Sequence, residues 1–480
     1  MATQGKTSPA LRDEAVRSLQ QYVSETLKYI DTVRNFSGGQ ASGWRLARNA
    51  ELNKLKTLKT IPELKEQQKT LATVLKNTLE GVEKLTYFLD ALEKLAVTSL
   101  QVFTGGEEVV KLSLGFSLES VKDIILAARL VCPLLLCFKR DAEVFFTPSL
   151  HNVAVFEAVL DKYIRTTEII CNVMCSAIDF EDEPPQVQLA EDLTLDVVQN
   201  ISSHVDQLSD IREDQDFRLL FLFQGESVSG FVDQFSECLP RMLEFLDEME
   251  GCAVQLDRMK KGSKISSVAG SSVGAVGGVM TLVGLALAPW TAGASLGLTY
   301  WGLGMGVTSG VNSIVTAVTE TAVNGVQNSK ASGDLQSFMK DVESIQASLD
   351  TVINQRESEF EEGNWDKAKV VKGVLKEAQI SPGVDKMKEA IIKVVIRSAV
   401  KNTAKKIGTV LFIGLDIYTI CTDSISLASG KQSEASEFIR ARAVLLRSEV
   451  DCWKIIHDSV GTGTKQFESR KDVLQSSFRN

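Results

Sequence analysis

The sequence predicts an all-α protein, with a helical-bundle or coiled-coil N-terminal region followed by helices around a central hydrophobic helical hairpin. Three observations predict it. Nine prolines in 480 residues leave long stretches uninterrupted. Those stretches are rich in Leu, Lys, Glu and Ala, which favour helix, and none alternates apolar with polar residues at the spacing of a sandwich or barrel. Finally, Ile265 to Thr319 carries no charged residue and no histidine, in a chain that is 24% charged.

Bulk composition narrows the function classes. A chain this long exceeds one compact core, so two or three domains are expected. Its 52 basic and 62 acidic residues give a net charge of −10, which argues against a nucleic-acid partner but leaves room for local basic clusters that meet anionic lipid. The N-terminus, MATQGKTSPALRDEAVRSLQ, has no apolar core and no myristoylation glycine, so a cytoplasmic protein is expected rather than a secreted one. The eight cysteines then read as thiols. Cys171 and Cys175 share a helix face, yet no histidine or second CxxC completes a metal site. No cofactor is expected.

In chain order, residues 1–60 hold a helix from Leu11 to Tyr29 and a loose stretch, Phe36-Ser-Gly-Gly-Gln-Ala-Ser-Gly. A helical bundle or coiled coil fills 61–180. Its first helix starts near Ile61, where Pro62 suits a first turn. There Leu71, Leu85 and Leu92 share one heptad position and Leu75, Val82, Leu89 and Ala96 follow four residues on, a coiled-coil or bundle seam. Ile124 to Phe138 is nearly as apolar as a membrane segment but too short to span one, and Arg129 and Pro133 interrupt it; it reads as a buried core helix. Residues 181–189 form an acidic, Pro-containing linker around Asp179 to Pro185. Helices resume over 190–264, with a break expected at Cys238-Leu-Pro240.

The uncharged stretch, 265–319, divides at Leu285-Ala-Leu-Ala-Pro289-Trp-Thr-Ala-Gly293 into two arms of about 20 residues, the length that crosses ~30 Å of hydrocarbon. Gly270, Gly274 and Gly278 repeat at i, i+4, i+8, as do Gly302, Gly306 and Gly310, and Gly293 and Gly297 repeat the spacing near the turn. Each glycine costs a helix in water about 1 kcal/mol relative to Ala, whereas in lipid such rows let helices pack closely. Pro289, Trp290, Tyr300 and Trp301 suit a turn and an interface, and Lys260, Lys261 and Lys264 suit anionic headgroups just before it. The competing reading is a buried hairpin inside a sheath of helices. Gly293-Ala-Ser295-Leu-Gly297 matches a nucleophile-elbow pattern by chance, since no strand precedes it.

Residues 320–380 hold an amphipathic helix, in which Leu335, Phe338, Val342, Ile345, Leu349 and Val352 step by three and four, followed by loops. In 384–430 a basic helix places Lys393, Arg397, Lys401 and Lys405 at i+4 spacing, which fits either an anionic surface or a solvated face. The apolar segment after it, Ile407 to Ala428, contains Asp416 and Asp423 on one face. Acids in a membrane segment mark a pore or a pH-sensing step; in an amphipathic core helix they are simply solvated. Over 431–480 a final amphipathic helix runs from about Glu434 to Ile456, with Phe438, Ala441, Leu445, Cys452 and Ile455 on its apolar side, and then a tail.

Two stretches resemble a known family. Met259-Lys-Lys-Gly-Ser-Lys-Ile-Ser-Ser-Val-Ala-Gly-Ser271 with Val283-Gly-Leu-Ala-Leu-Ala-Pro-Trp-Thr-Ala-Gly-Ala-Ser-Leu296 is similar to the apolipoprotein L hairpin. Leu415-Asp416, Asp423-Ser424, Leu427, Gly430 and Ser433-Glu434 resemble that family's C-terminal hydrophobic segment. The similarity covers roughly 235–460, and residues 1–190 are longer than the family's lead-in. The resemblance implies an all-helical, lipid-associating protein with a colicin-like helical region around the hairpin. It implies a role in remodelling or permeabilising membranes, in some members as innate defence, and makes Asp416 a candidate pore or pH-sensing acid. Acids common in the family's second hairpin arm are missing from Leu296 to Thr319.

The leading expectation is therefore a non-enzymatic protein, associated with or inserted in intracellular membranes, whose hairpin enters anionic bilayers. The alternatives are a soluble lipid carrier or scaffold that binds lipid through amphipathic helices, and a coiled-coil interaction protein anchored by the hairpin. Membrane lipids and a homo-oligomer through the coiled-coil helices are the expected partners.

Overall fold

Apolar spacing of three and four residues turns most of the chain into helices, and the computed structural model shows how they stack. It describes residues 8–104, 110–112, 118–178, 186–223, 228–262 and 432–476, with short pieces at 337–338, 340–342, 344–345, 348–349 and 478. Helix α1 (Ser8–Asn35) buries Ala15, Leu19, Tyr22, Val23, Ile30 and Val33 along one stripe. It is longer than the expected Leu11–Tyr29, because the glycine-bearing stretch after it is not loose. Phe36–Gln40 makes one π turn and runs directly into α2 (Ala41–Thr57). Two buried aromatics hold that junction: Phe36 stacks on Phe88, with ring centroids 4.4 Å apart, and the Trp44 indole donates to the Gly81 carbonyl at 2.8 Å.

Helix α3 (Leu64–Ala96) begins after an extended Ile61-Pro62-Glu63 rather than at Ile61. Its expected seam is real: Leu71, Leu75, Leu85, Leu92 and Ala96 are buried, with Val82 and Leu89 packed beside them. The seam faces α1, α2 and α5 of the same chain, in the manner of a bundle. After α4 (Gln101–Thr104) comes α5 (Leu118–Val131), which Pro133 converts to a 3-10 turn over Cys132–Phe138. The run from Ile124 to Cys137 is buried core, as its length implies. Arg129, the charge inside it, donates to the Ala96 and Thr98 carbonyls at 2.8 and 2.9 Å and so completes the C-terminus of α3.

Helices α6 (Ala142–Phe145), α7 (Val153–Ala177), α8 (Leu195–Glu213) and α9 (Gln215–Leu222) follow. A two-stranded antiparallel ribbon is the unexpected element. Strand β1 (Val110–Leu112) pairs with β2 (Val187–Leu189), Lys111 opposite Gln188. Three residues per strand leave too little alternation for a sequence pattern to register.

Helix α10 (Val228–Gly262) runs through Pro240 without the expected break. Proline inside a helix costs ~3 kcal/mol for the lost bond and the clash behind it. Apolar residues on both sides of it, Phe231, Phe235, Met242 and Leu246, are buried in the core cluster and keep the two halves in one rod. Helix α11 (Gln432–Gln475) extends about five turns past the expected end at Ile456. Ile455, expected on its apolar side, is instead half exposed. One cluster of buried residues joins all of these, from Leu19 in α1 to Phe478 beyond α11. The described residues form an all-α helical bundle with one small ribbon.

Candidate functional site: the α10–α11 helix pair

The apolar row of α10 steps through Phe231, Phe235, Cys238, Met242, Phe245, Leu246 and Ala253, all buried. Helix α11 packs along it, with buried Leu446, Val450, Trp453 and Val460 in the row of His457, whose ring lies 5.3 Å from that of Phe235. The two helices are antiparallel, as their polar margins record. Asp257 accepts from Ser436 at 2.7 Å and pairs with Arg440, Asp247 pairs with Arg447, and Ser236 meets His457 at 2.9 Å. The two ion pairs, Asp257–Arg440 and Asp247–Arg447, are partly exposed, so each adds little stability, ~0–1 kcal/mol. Their effect is registry between two long apolar faces.

A second segment lies on α10. The described residues between 337 and 349 are helical, and Phe338, Val342, Ile345 and Leu349 are buried, which supplies the partner that their spacing demands. Phe338 stacks on Phe245 at 4.6 Å, Asp341 takes two bonds from Arg241 at 2.7 and 3.1 Å, and Ser348 donates to Gln234 at 2.6 Å. Burial, with the Asp341 carboxylate beside it, pushes the Cys238 thiol up to about 12. Burial likewise pushes Cys452 up to about 12. Neither is the thiolate that nucleophilic chemistry requires. The six described cysteines, Cys132, Cys137, Cys171, Cys175, Cys238 and Cys452, are not in disulfides. Among the described residues no group of three or more His, Cys, Asp or Glu could hold a metal ion.

Residues 205–380 match the apolipoprotein L family model. The match covers the second half of α8, α9, α10 and the helical residues on α10, so the resemblance expected from sequence holds over that segment. Human apolipoprotein L3 is 27% identical over 229 residues, 44% of this chain and 57% of that protein. Human apolipoprotein L5 is 42% identical over 87 residues, covering 18% and 20%, and human apolipoprotein L6 is 31% identical over 108 residues, covering 22% and 32%. The aligned stretch thus spans little more than half of apolipoprotein L3 and less of the others. No solved structure matches.

Among the described residues no helix is long and apolar enough to cross a membrane. That corrects the expectation of a transmembrane helix, of a protein that inserts into bilayers and permeabilises them, and of a place in or on intracellular membranes. The physical reason is visible in the helices. At 1.5 Å per residue α10 is ~50 Å long, yet Asp233, Glu237, Arg241, Glu244, Asp247 and Glu250 charge nearly every turn. Helix α5 carries Glu119, Lys122, Asp123 and Arg129, and its 14 residues reach only ~21 Å.

Of the residues singled out from sequence, Lys260 and Lys261 fall in the last turn of α10. Lys264, the glycines 270 to 310, Pro289, Trp290, Tyr300, Trp301, Lys393, Arg397, Lys401, Lys405, Asp416 and Asp423 lie outside the described residues. Sequence reading missed a pair of charges within α11. Phe438, Arg442, Leu445, Glu449, Cys452 and Ile456 step by four and three, so Arg442 and Glu449 stand in an apolar row. That placement is the signal that could have found them. Both are 1% exposed.

Proposed function

We propose that the protein is a non-enzymatic lipid scaffold, in which α10 and α11 hold phospholipid acyl chains between their facing apolar rows while their charged margins meet headgroups and water. The observation that carries this reading is the α10–α11 pair itself. It consists of two long amphipathic helices joined along aromatic and aliphatic rows, one of them inside the segment that matches the apolipoprotein L family. Long amphipathic helices bind lipid by burying such a row at the boundary between acyl chains and headgroups.

Anionic phospholipid is the preferred ligand in this reading, because Lys260 and Lys261 end α10 just where the uncharged stretch begins. The apolar stretch from Ile265 to Thr319 is a second lipid contact, and the colicin-like layering of helices around it belongs to the same proposal.

Gel filtration after incubation with mixed phosphatidylcholine and phosphatidylglycerol tests the reading. Phospholipid eluting with the protein supports it, together with no ion conductance in planar bilayers. Lipid-free protein at every ratio refutes it, and conductance would refute the scaffold in favour of a pore. Replacing Phe235 and Phe245 by Ser lowers lipid uptake if the α10 row is the contact.

A further inference from the structure

Between Ser436 and His457 helix α11 packs on two partners at once, and farther along it meets α9 and α8. One side covers α10. The other enters the N-terminal bundle, residues 8–178, which the family match does not reach. On that second side Asn152 donates to the Ala441 carbonyl at 3.1 Å, the Cys452 thiol donates to the Lys139 carbonyl, and His151 meets Phe438 edge-on at 5.6 Å. At its centre Arg140 and Glu449 form an ion pair at 2.5 Å, with the two side chains 3% and 1% exposed. The Arg140 guanidinium also lies 4.1 Å from the Phe145 ring centre. Tyr163 and Lys162 of α7, Cys137 of the 3-10 turn and Cys452 are the other titratable groups in the electrostatic surroundings of the pair. One residue from Glu449, the Ser448 hydroxyl is buried without a hydrogen bond.

Such a joint is an unusual choice for a permanent contact. Burying an ion pair sacrifices hydration that its attraction only partly returns, and apolar residues of the same volume commonly hold as well or better. Removing one partner, by contrast, strands a charge in the interior and opens the contact. The pair therefore makes docking of α11 conditional, and the docking keeps the α10 row covered.

We infer that the N-terminal bundle is an intramolecular inhibitor, which clamps α11 over the lipid-binding face of α10 through the buried Arg140–Glu449 pair. The inference rests on the lipid-scaffold reading above and adds its regulation. Release of α11 from the bundle is the step that precedes lipid uptake. The bundle side of the clamp, from Lys139 to Asn152, is specific to the part of the chain outside the family match.

The test uses the full chain and vesicles of phosphatidylcholine with phosphatidylglycerol. Glu449→Gln strands Arg140, and the expected result is vesicle clearance about ten-fold faster than the unaltered protein or more, with helix content retained by circular dichroism. The paired change Arg140→Met with Glu449→Leu keeps the joint closed and returns the rate to that of the unaltered protein or below. Hydrogen exchange is read on the same proteins. In Glu449→Gln the amides of 436–456 exchange faster, and in the paired variant they do not. Equal clearance rates for folded Glu449→Gln and the unaltered chain overturn the clamp. If no variant clears lipid, the scaffold reading fails, and hydrogen exchange alone then decides the clamp: unchanged exchange in Glu449→Gln overturns it.

Discussion

Gly81 sits mid-helix in α3, where glycine ordinarily costs about 1 kcal/mol relative to Ala. Its reason is Arg48, whose guanidinium would lie 1.4 Å from an added Cβ. That guanidinium is committed to Glu51 at 2.5 and 2.6 Å, and Glu51 also accepts from Thr78 at 2.8 Å. Gly81→Ala is therefore expected to lower stability by ~1–3 kcal/mol through overpacking, despite the better propensity of Ala. Gly251 in α10 is the control, because its Cβ would meet open space. Gly251→Ala should stabilise by up to ~1 kcal/mol. Thermal unfolding followed by circular dichroism separates the two signs, and equal effects would remove the Arg48 explanation.

His204 gives a residue-scale pH prediction. Its Nε2 lies 2.9 Å from the Val473 carbonyl and its ring is edge-on to Phe478. Burial disfavours the imidazolium and outweighs the carbonyl, so its pKa lies below the ordinary 6.5. A lowered folded-state pKa means stability that is present above 6.5 and lost as pH falls through the folded value. The loss is small, since the ring is only half-buried. Denaturant midpoints measured from pH 7 down to pH 5 should fall slightly, and His204→Gln should flatten that slope.

At the scale of elements, α9 depends on its cap. Asp214 accepts from the Phe217 amide at 3.0 Å and pairs with Arg470 of α11. Burial pushes its carboxyl up, but the Phe217 amide and Arg470 together pull it below the usual range. Asp214→Ala should cost ~1–2 kcal/mol, and acid should loosen the α9–α11 contact as pH falls below the ordinary Asp value near 4. Hydrogen exchange in α9 reads both; unchanged protection in the Ala variant would contradict the cap. Elements of this kind were legible in the sequence wherever spacing and length agreed, as with the Leu71–Ala96 seam and the buried run at Ile124. Three features were not. The Phe36–Gln40 turn reads as loose because glycine content hides two aromatic anchors whose partners, Phe88 and Gly81, lie far away in sequence. Pro240 reads as a break because propensity is local, whereas the packing that overrides it comes from α11. Arg442 and Glu449 pass unremarked in the sequence because charged residues are usually exposed, although their place in an apolar row marked them as buried.

For the molecule as a whole, α11 joins the two parts of the bundle. It closes on α10 along one side and on residues 139–152 along the other, and near its end Ser99 donates to the Leu474 carbonyl at 2.9 Å. The sequence drew attention to the uncharged stretch, where glycine rows and an Ala-Pro-Trp turn are conspicuous. The lipid contact proposed above lies instead mainly on the amphipathic helices on either side of it. The most direct test is the distance between spin labels on Asp247→Cys and Arg447→Cys, in a background where the exposed Cys175 is Ser, with and without phospholipid. If lipid is held between α10 and α11, the distance grows by about one helix diameter, ~10 Å, when phospholipid binds. An unchanged distance in protein that has demonstrably bound phospholipid would contradict it.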